Sequence, residues 1–336
     1  MTAYIARRIL LAAFTLAVMS LMSFTIIQLP EGDYVDRYIQ ELQAEGDFLS
    51  MEEANALREY YGLDKPMLVQ YWRWISRILF QMDFGYSYRY DAKIRNLIGD
   101  RLQFTIALSA FTTIVIWSFA FPVGIYSAVR QHSIGDYTFT FLGFAGLAVP
   151  DFLLGLVMMY VFFAYFDMSV GGLFSTDMQN APWSVARAID MLQHLIIPGV
   201  VLGTAGTAGL IRTMRNQLLD ELHKPYVVTA RSKGLPGWRI ILKYPVRIAL
   251  NPFISGIGGQ IAGLLGSSVI VSVVLSLPTL GPLMLGALLE QDMYLAGTII
   301  LLFGLLGVLG ILISDLMLVA VDPRIRFSGE RGVQTF

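Results

Sequence analysis

Long apolar runs alternate with short polar breaks along most of the chain. A bilayer crossing needs about 20 apolar residues, and residues 9–29 supply that length with no charge at all. Residues 102–129 are likewise uncharged. A third run, 137–166, is interrupted by Pro150-Asp151. The fourth covers 195–211, and its helix is expected to continue past Arg212 and Arg215. From 248 to 289 there is again no charge, which is enough for two crossings on length alone. Pro278, Gly281 and Pro282 break that run, so we read one span, 253–277, and a short apolar loop that returns to the same surface. The last run is 295–314.

Two polar stretches stand apart from these runs. Residues 31–101 are rich in charge, with acidic residues in excess. Within them Ser50-Met51-Glu52-Glu53 is a capping box that starts a helix, and Gly62 ends it. Pro66 opens another helix, with Leu68, Tyr71, Trp72, Ile75 and Leu79 near one face. This is a folded insert, either a contact surface for a soluble partner or a lid on the rest of the chain. The second stretch, 225–252, reads PYVVTARSKGLPGWRIILKYPVRIALNP. Pro225 suits a first helical position and Gly234 the residue just past a helix end. Arg231 and Lys233 fall in the last turn, where they complement the helix dipole. A second helix is expected from Pro236 to Tyr244, limited or kinked by Pro245. The result is a basic knob on the membrane surface, either a dock for another protein or an ordinary charged loop. Between the third and fourth runs lies a loop over 167–190, with Gly171-Gly172 and Pro182.

Composition narrows the class. The 336 residues are 55% hydrophobic and 15% charged, which marks a polytopic membrane protein. A net charge of −1 gives no reason to expect a nucleic-acid partner. The absence of cysteine excludes disulfides and thiolate metal sites. His132, His194 and His223 fall in three separate segments, so no histidine metal site is expected. Basic Arg7-Arg8 before an apolar run looks like a signal peptide, but no small-residue cleavage site follows, and we read a retained anchor. Short cytoplasmic loops should hold the Lys and Arg. Six spans with the N-terminus inside place Arg7, Arg8, Arg130, the basic residues from Arg212 to Arg247, and Arg324, Arg326 and Arg331 on the inner side. The short outer loops then keep only Arg187. Both termini and the basic knob face the cytoplasm in this reading.

The chemistry is mostly one of absence. No Gly-Lys dipeptide occurs, so no phosphate-cradling P-loop is present. No Ser-His-Asp set, catalytic carboxylate pair or metal-ligand spacing emerges, and no catalytic residue is expected. Gly256, Gly259, Gly263 and Gly266 fall roughly on one helix face, for close helix packing or for room along a pathway. The neighbouring Ser255-Gly256-Ile257-Gly258-Gly259-Gln260 has only a superficial likeness to an ATPase signature, inside a span. Gln260 is placed to hydrogen-bond across helices or to a substrate. Asp151 is a carboxylate inside an apolar run, which is costly and commonly functional; it either touches substrate or borders a water-filled cavity. Asp315, at the inner end of the last span, is expected to pair with a nearby Arg.

Tyr226 and Thr229-Ala230-Arg231-Ser232-Lys233-Gly234-Leu235, with Pro252 downstream, resemble the coupling loop of ABC importer permeases in its peptide-permease version. Asn251 stands where that family has Leu. Further resemblance comes from Ser314-Asp315-Leu316 with Val321-Asp322-Pro323-Arg324-Ile325-Arg326. It also comes from Tyr61-Gly62-Leu63-Asp64-Lys65-Pro66 with Gln70-Tyr71 and Asp83-Phe84-Gly85, and from Arg7-Arg8. In this order they cover nearly the whole chain, which is identified as a dipeptide/oligopeptide-type permease, closest to the Yej branch.

The resemblance implies an all-α type I importer permease with six transmembrane helices in a bacterial inner membrane. It implies a second, homologous permease, two ATPase subunits or one fused ATPase chain, and an extracytoplasmic solute-binding protein. ATP and magnesium would be bound by the ATPase partner, leaving this chain without a cofactor. Residues 226 and 229–235 would couple ATP hydrolysis to alternating access, and Asp151, Gly256, Gly259, Gln260, Gly263 and Gly266 would border the path. The solute is a peptide or a similar small molecule; oligosaccharides, opines, glutathione and nickel complexes travel on the same scaffold. A sensor or scaffold that merely docks an ATPase, or a stand-alone secondary transporter, are the rival classes. The chain divides at this stage into 1–30 (N-terminus and first span), 31–101 (extracytoplasmic insert), 102–322 (permease core with the coupling loop 212–252) and 323–336 (cytoplasmic tail).

Overall fold

The computed structural model describes residues 2–28, 34–46, 48–61, 63–87, 89–166, 170–290 and 292–321. Gly62 and the 322–326 part of the C-terminal motif lie outside the described residues. The chain forms α1 (Thr2–Gln28), α2 (Tyr34–Glu45), α3 (Met51–Tyr61), α4 (Met67–Gln81), a hairpin of β1 (Tyr86–Ser87) and β2 (Ala92–Lys93), then α5 (Ile94–Val129), α6 (Ile134–Ala148), α7 (Asp151–Phe166) and α8 (Val185–His194). It continues with α9 (Ile196–Leu222), α10 (Pro225–Ser232), α11 (Gly237–Lys243), α12 (Pro245–Ala249), α13 (Asn251–Val274), α14 (Leu280–Leu289) and α15 (Met293–Val321).

Among the described residues five helices are long and apolar enough to cross a membrane: α1, α5, α9, α13 and α15. The α6–α7 pair, bent by 101° at Val149-Pro150, makes a sixth when its two halves are taken as one broken span. Alone, each half reaches only about 22–24 Å at 1.5 Å per residue, short of a ~30 Å hydrocarbon core. Pro150 cannot donate to the preceding turn, and its carbonyl instead accepts the first N–H groups of α7, from Leu153 and Leu154. The apolar stretch after α13 is a short helix, α14, too short to span. It is pinned to α5 where Thr105 Oγ1 accepts from Leu280 N at 2.9 Å.

The bundle is built on two long packings, α5 along α9 and α15 along both α13 and α1. Gly124 lets α5 meet α9, because a Cβ there would sit 2.6 Å from Met214 Cβ. Ile116, Leu108, Val201, Leu202, Leu264 and Leu275 fill the interior between these helices. Inside the spans, hydroxyls bond back to their own helix, as Thr113 does to Ser109 O at 2.8 Å and Thr204 to Val200 O at 2.7 Å. Where α1 begins and α15 ends, Arg8 Nε lies 3.2 Å from Asp315 Oδ2. This is the Asp–Arg pair expected from the sequence, and it places those two helix ends on one side.

At the opposite end sits the insert. Ser50 caps α3 in both directions: its hydroxyl accepts from Glu53 N at 3.2 Å, and Glu53 Oε2 accepts from Ser50 N at 3.0 Å. The Ser50 hydrogen bonds hold the fully exposed Glu53 carboxyl below the usual carboxylate range. An ion pair of 2.5 Å between Arg58 and Asp36 joins α3 to α2. The buried face of α4 differs from the expected one. Trp74, Ile75 and Ile78 are inside with Tyr71 against them, while Leu68, Trp72 and Leu79 are exposed. The helix carries two adjacent apolar stripes, and the buried one is set by neighbours. Phe24 of α1 packs on Tyr71 and Trp74 at ring distances of 5.5 and 5.8 Å, and Tyr71 Oη meets Ser20 Oγ at 2.7 Å.

The same core takes in Ile94 and Ile98 of α5, Leu280 and Leu283 of α14, and Leu295 and Ile299 of α15. Residue 101, the sequence-based limit of the insert, lies within α5, so the insert runs without a break into the second crossing. Ser87 at the hairpin donates to buried Asp292 Oδ2, whose other oxygen caps α15 through Leu295 N at 3.1 Å. Burial pushes the Asp292 carboxyl above the usual range, against the pull of these two donors.

Candidate functional site

The basic stretch folds as a knob beyond the end of α9. Pro225 opens α10, whose last residues are followed by Gly234 at φ +71°, with its N–H on Arg231 O at 2.9 Å. Pro245 ends α11 and, having no N–H to satisfy, starts a third short helix, α12. Val227, Ala230 and Ile240 form the knob's own core, closed by Tyr226 and Tyr244. Val246 and Ala249 join it to Met214, Leu218 and Phe253 of the bundle. Tyr226 Oη donates to Glu221 Oε2 at 2.5 Å, tying α10 to the end of α9. Burial, helped by Glu221, pushes the Tyr226 phenol well up, so it remains a donor.

The apex, residues 231–239, is exposed at every position. Thr229, Arg231, Ser232, Lys233, Gly234 and Leu235 are on this surface. Ala230 is not, although its spacing from Gly234 places both on one side of an ideal helix. The chain leaves the helix at Lys233, and Ala230 turns inward. Trp238 is 62% exposed with Arg239 over its ring at 5.2 Å, an apolar anchor among cations that the sequence reading passed over. A lone Trp beside the Arg and Lys of the apex is the signal that points to it.

Beside the knob, Asp136 at the start of α6 is buried and held by Arg215 of α9, with Arg215 Nη2 3.1 Å from Oδ2 and Nε 3.2 Å from Oδ1. His132 N also donates to it at 3.0 Å. The pair fixes the α5–α6 loop to the C-terminal half of α9, next to a groove of about 450 Å³.

Along α13, Gly256, Gly259, Gly263 and Gly266 have nothing among the described residues within 4 Å of the place a Cβ would take, their own helix backbone aside. Close packing therefore belongs to another glycine. A Cβ on Gly258 would collide with the Ile311 backbone of α15. Gly256 and Gln260 share a cleft of about 150 Å³ with Gly206, Leu210, Thr213, Pro252 and Phe253. Asp151 is the first residue of α7 and is not part of that cleft. The structure thus brings Gly256 and Gln260 together and leaves Asp151 elsewhere. Among the described residues, no group of three or more His, Cys, Asp or Glu is placed to hold a metal ion.

Two family patterns cover this architecture. Residues 120–327 match the binding-protein-dependent transport system inner membrane component, and residues 1–109 match the N-terminal part of such membrane components. The chain belongs to this permease family. It is 34% identical over 329 residues to the "Oligopeptide transport system permease protein AppB" of Bacillus subtilis, covering 97% of this chain and 100% of the relative. It is 30% identical to "Inner membrane ABC transporter permease protein YejB" of Escherichia coli O157:H7, covering 98% and 100%. "Glutathione transport system permease protein GsiC" of Salmonella typhimurium is also 30% identical, covering 96% and 99%. The Yej relative is thus no nearer than the others, and the expected branch is not singled out.

As a permease of this family, the chain is a multi-pass inner-membrane subunit of an ABC importer. It is a transport subunit and not an enzyme. ATP is bound and hydrolysed by separate ATPase subunits, and solute arrives on a binding protein. No cofactor belongs to this chain.

Proposed function

We propose that this permease imports peptides. The reading rests on the 34% identity to an oligopeptide permease across 97% of the chain. The glutathione relative agrees, since glutathione is itself a small peptide. The importer contains a second, homologous permease, against which the bare glycine face of α13 borders the solute path. Asp151, Gly256, Gly259, Gln260, Gly263 and Gly266 line that path. The exposed residues Thr229, Arg231, Ser232, Lys233, Gly234 and Leu235, with Tyr226 and Ala230 holding their shape, contact the ATPase and pass its motion to the spans. For coupling, the ATPase must grip the knob differently in its two nucleotide states.

Proteoliposomes containing both permeases and the ATPase should take up a short peptide only with ATP inside and loaded binding protein outside. Uptake without ATP, or of oligosaccharide alone, would overturn the reading.

The termini, the knob over 212–252 and the tail over 323–336 lie in the cytoplasm, and the insert over 31–101 lies outside, where it helps receive the binding protein. The core is 102–322, with 1–30 as the anchor. Charge distribution supports this orientation, and the Arg8–Asp315 pair supports a common side for both ends. Asn55 is exposed on α3. An Asn55→Cys variant in this cysteine-free chain should react with an impermeant thiol reagent in intact cells, once any outer membrane is permeabilised. Labelling only after the inner membrane is broken would reverse the topology.

A further inference from the structure

Gln260 is the one carboxamide side chain between residues 252 and 289. Its amide is not free to turn. Trp117 Nε1 of α5 donates to Gln260 Oε1 at 3.1 Å. An indole N–H only donates, so the atom facing it must be the amide oxygen. Trp117 is itself held by a run of rings, 5.2 Å from Phe121, which lies 5.0 Å from Phe253. Gln260 Nε2 is therefore the group left over. It is shielded from solvent and has no hydrogen-bond partner among the described residues. A buried donor without an acceptor is uncommon in a native structure and calls for a reason. In an apolar span the cost is larger, since no lipid group can answer it.

The surroundings indicate what would answer it. Gln260 borders the cleft with Gly206, Gly256, Thr213 and Phe253. The Thr213 hydroxyl already donates to Gly209 O at 3.1 Å. The amide thus offers N–H donors that no acceptor of the cleft takes up, in a cleft that Gly256 leaves open and whose lining side chains carry no charge. Such a group selects neutral oxygen acceptors and holds them weakly enough for release. A carboxylate would find no counter-charge there, and neither would an ammonium group.

We propose that Gln260, oriented by Trp117, is a carbonyl-reading station of the transport path: its Nε2 donates to backbone carbonyl oxygens of the passing peptide. This rests on the peptide reading above. The shielded Nε2 becomes available when α9 and α13 move apart, so contact is made only during the transport stroke. Trp117 acts as a positioning residue, since it does not touch the solute.

The test is peptide transported per ATP hydrolysed, measured on the complete reconstituted complex with saturating, peptide-loaded binding protein. Gln260→Met keeps the length and removes both donors. It should lower the ratio about tenfold, the equivalent of one hydrogen bond of ~1.4 kcal/mol. Binding-protein-stimulated ATPase activity should stay unchanged. Trp117→Phe keeps an aromatic ring but removes the N–H that orients the amide, so about a threefold fall is expected. Added to Gln260→Met it should cost nothing more, because the two residues act as one. A merely structural tryptophan would add its own loss in the double variant.

An unchanged ratio in Gln260→Met would overturn the proposal while leaving peptide import intact. Loss of the assembled complex, in place of loss of transport, would assign the amide to the second permease and overturn it as well. Failure of the unsubstituted complex to carry peptide would instead overturn the peptide reading.

Discussion

Gly234→Leu should abolish ATP-driven uptake while the permease remains inserted and paired with its second subunit. Gly234 has φ +71° and nothing within 4 Å of a Cβ position, so the penalty is one of backbone and not of collision. A left-handed backbone disfavours a side chain by about 1–2 kcal/mol. The local escape is to rotate φ negative, which redirects the chain between α10 and α11. Leu235 and Trp238 follow directly and would leave their places at the apex. The bundle would not feel the change, since the knob's core of Val227, Ala230 and Ile240 lies behind the turn.

Trp238→Ala provides a companion with intact backbone. If this ring is an interface anchor, its removal costs about 2 kcal/mol or more, some thirtyfold in ATPase affinity. Ala230→Leu should act differently, by overfilling the knob's core, with reduced yield of folded complex. ATPase co-purification and uptake, measured on each variant, separate the three outcomes. Full transport with a normal ATPase yield in Gly234→Leu would remove the turn from coupling.

The spans were legible because uncharged length is a one-dimensional property. The breaks at Pro150, Gly234 and Pro245 were legible for a related reason: each depends on the backbone of one residue. The capping box at Ser50 is similarly local. Asp315 was legible for another reason: a carboxylate at the end of an apolar run calls for a cation, although only the fold shows that Arg8, from the other end of the chain, supplies it. What the sequence left open are the places where one helix chooses between faces. α4 has two apolar stripes, and only the position of Phe24 and the α14–α15 corner decides between them. α13 is apolar all round, so its periodicity carries no inward direction. Nothing in the sequence sets Gly258 apart from the other glycines of α13; only α15 packed against it does. Asp136 and Arg215 are 79 positions apart, and no local pattern joins them. The hairpin's Ser87 and Asp292 are separated by still more chain.

Two glycines on α13, Gly258 and Gly263, should therefore respond in opposite ways. At Gly258, a side chain meets the Ile311 backbone, and Gly310 faces it so closely that a Cβ there would lie 3.3 Å from Gly258 Cα. Neither helix has a flexible group to move aside. Gly258→Leu should separate α13 from α15, at a cost above the ~1–3 kcal/mol of ordinary overpacking, and folded complex should be hard to recover. Gly263 has nothing within 4 Å. Gly263→Trp should assemble in normal yield and retain ATPase activity, because the knob and its joint at Val246 and Ala249 are untouched. Uptake should instead fall with solute size, by at least about tenfold for the largest peptide accepted, the effect of ~1.4 kcal/mol on a rate. A small peptide should be affected least, since the indole narrows the path without closing it. The measurement is uptake of a graded series of peptides by assembled complex, normalised to ATP hydrolysed. Equal uptake across the series would take this face out of the path. The open side of Gly256, Gly259, Gly263 and Gly266 would then be filled by lipid or by a packed neighbour that yields to the ring.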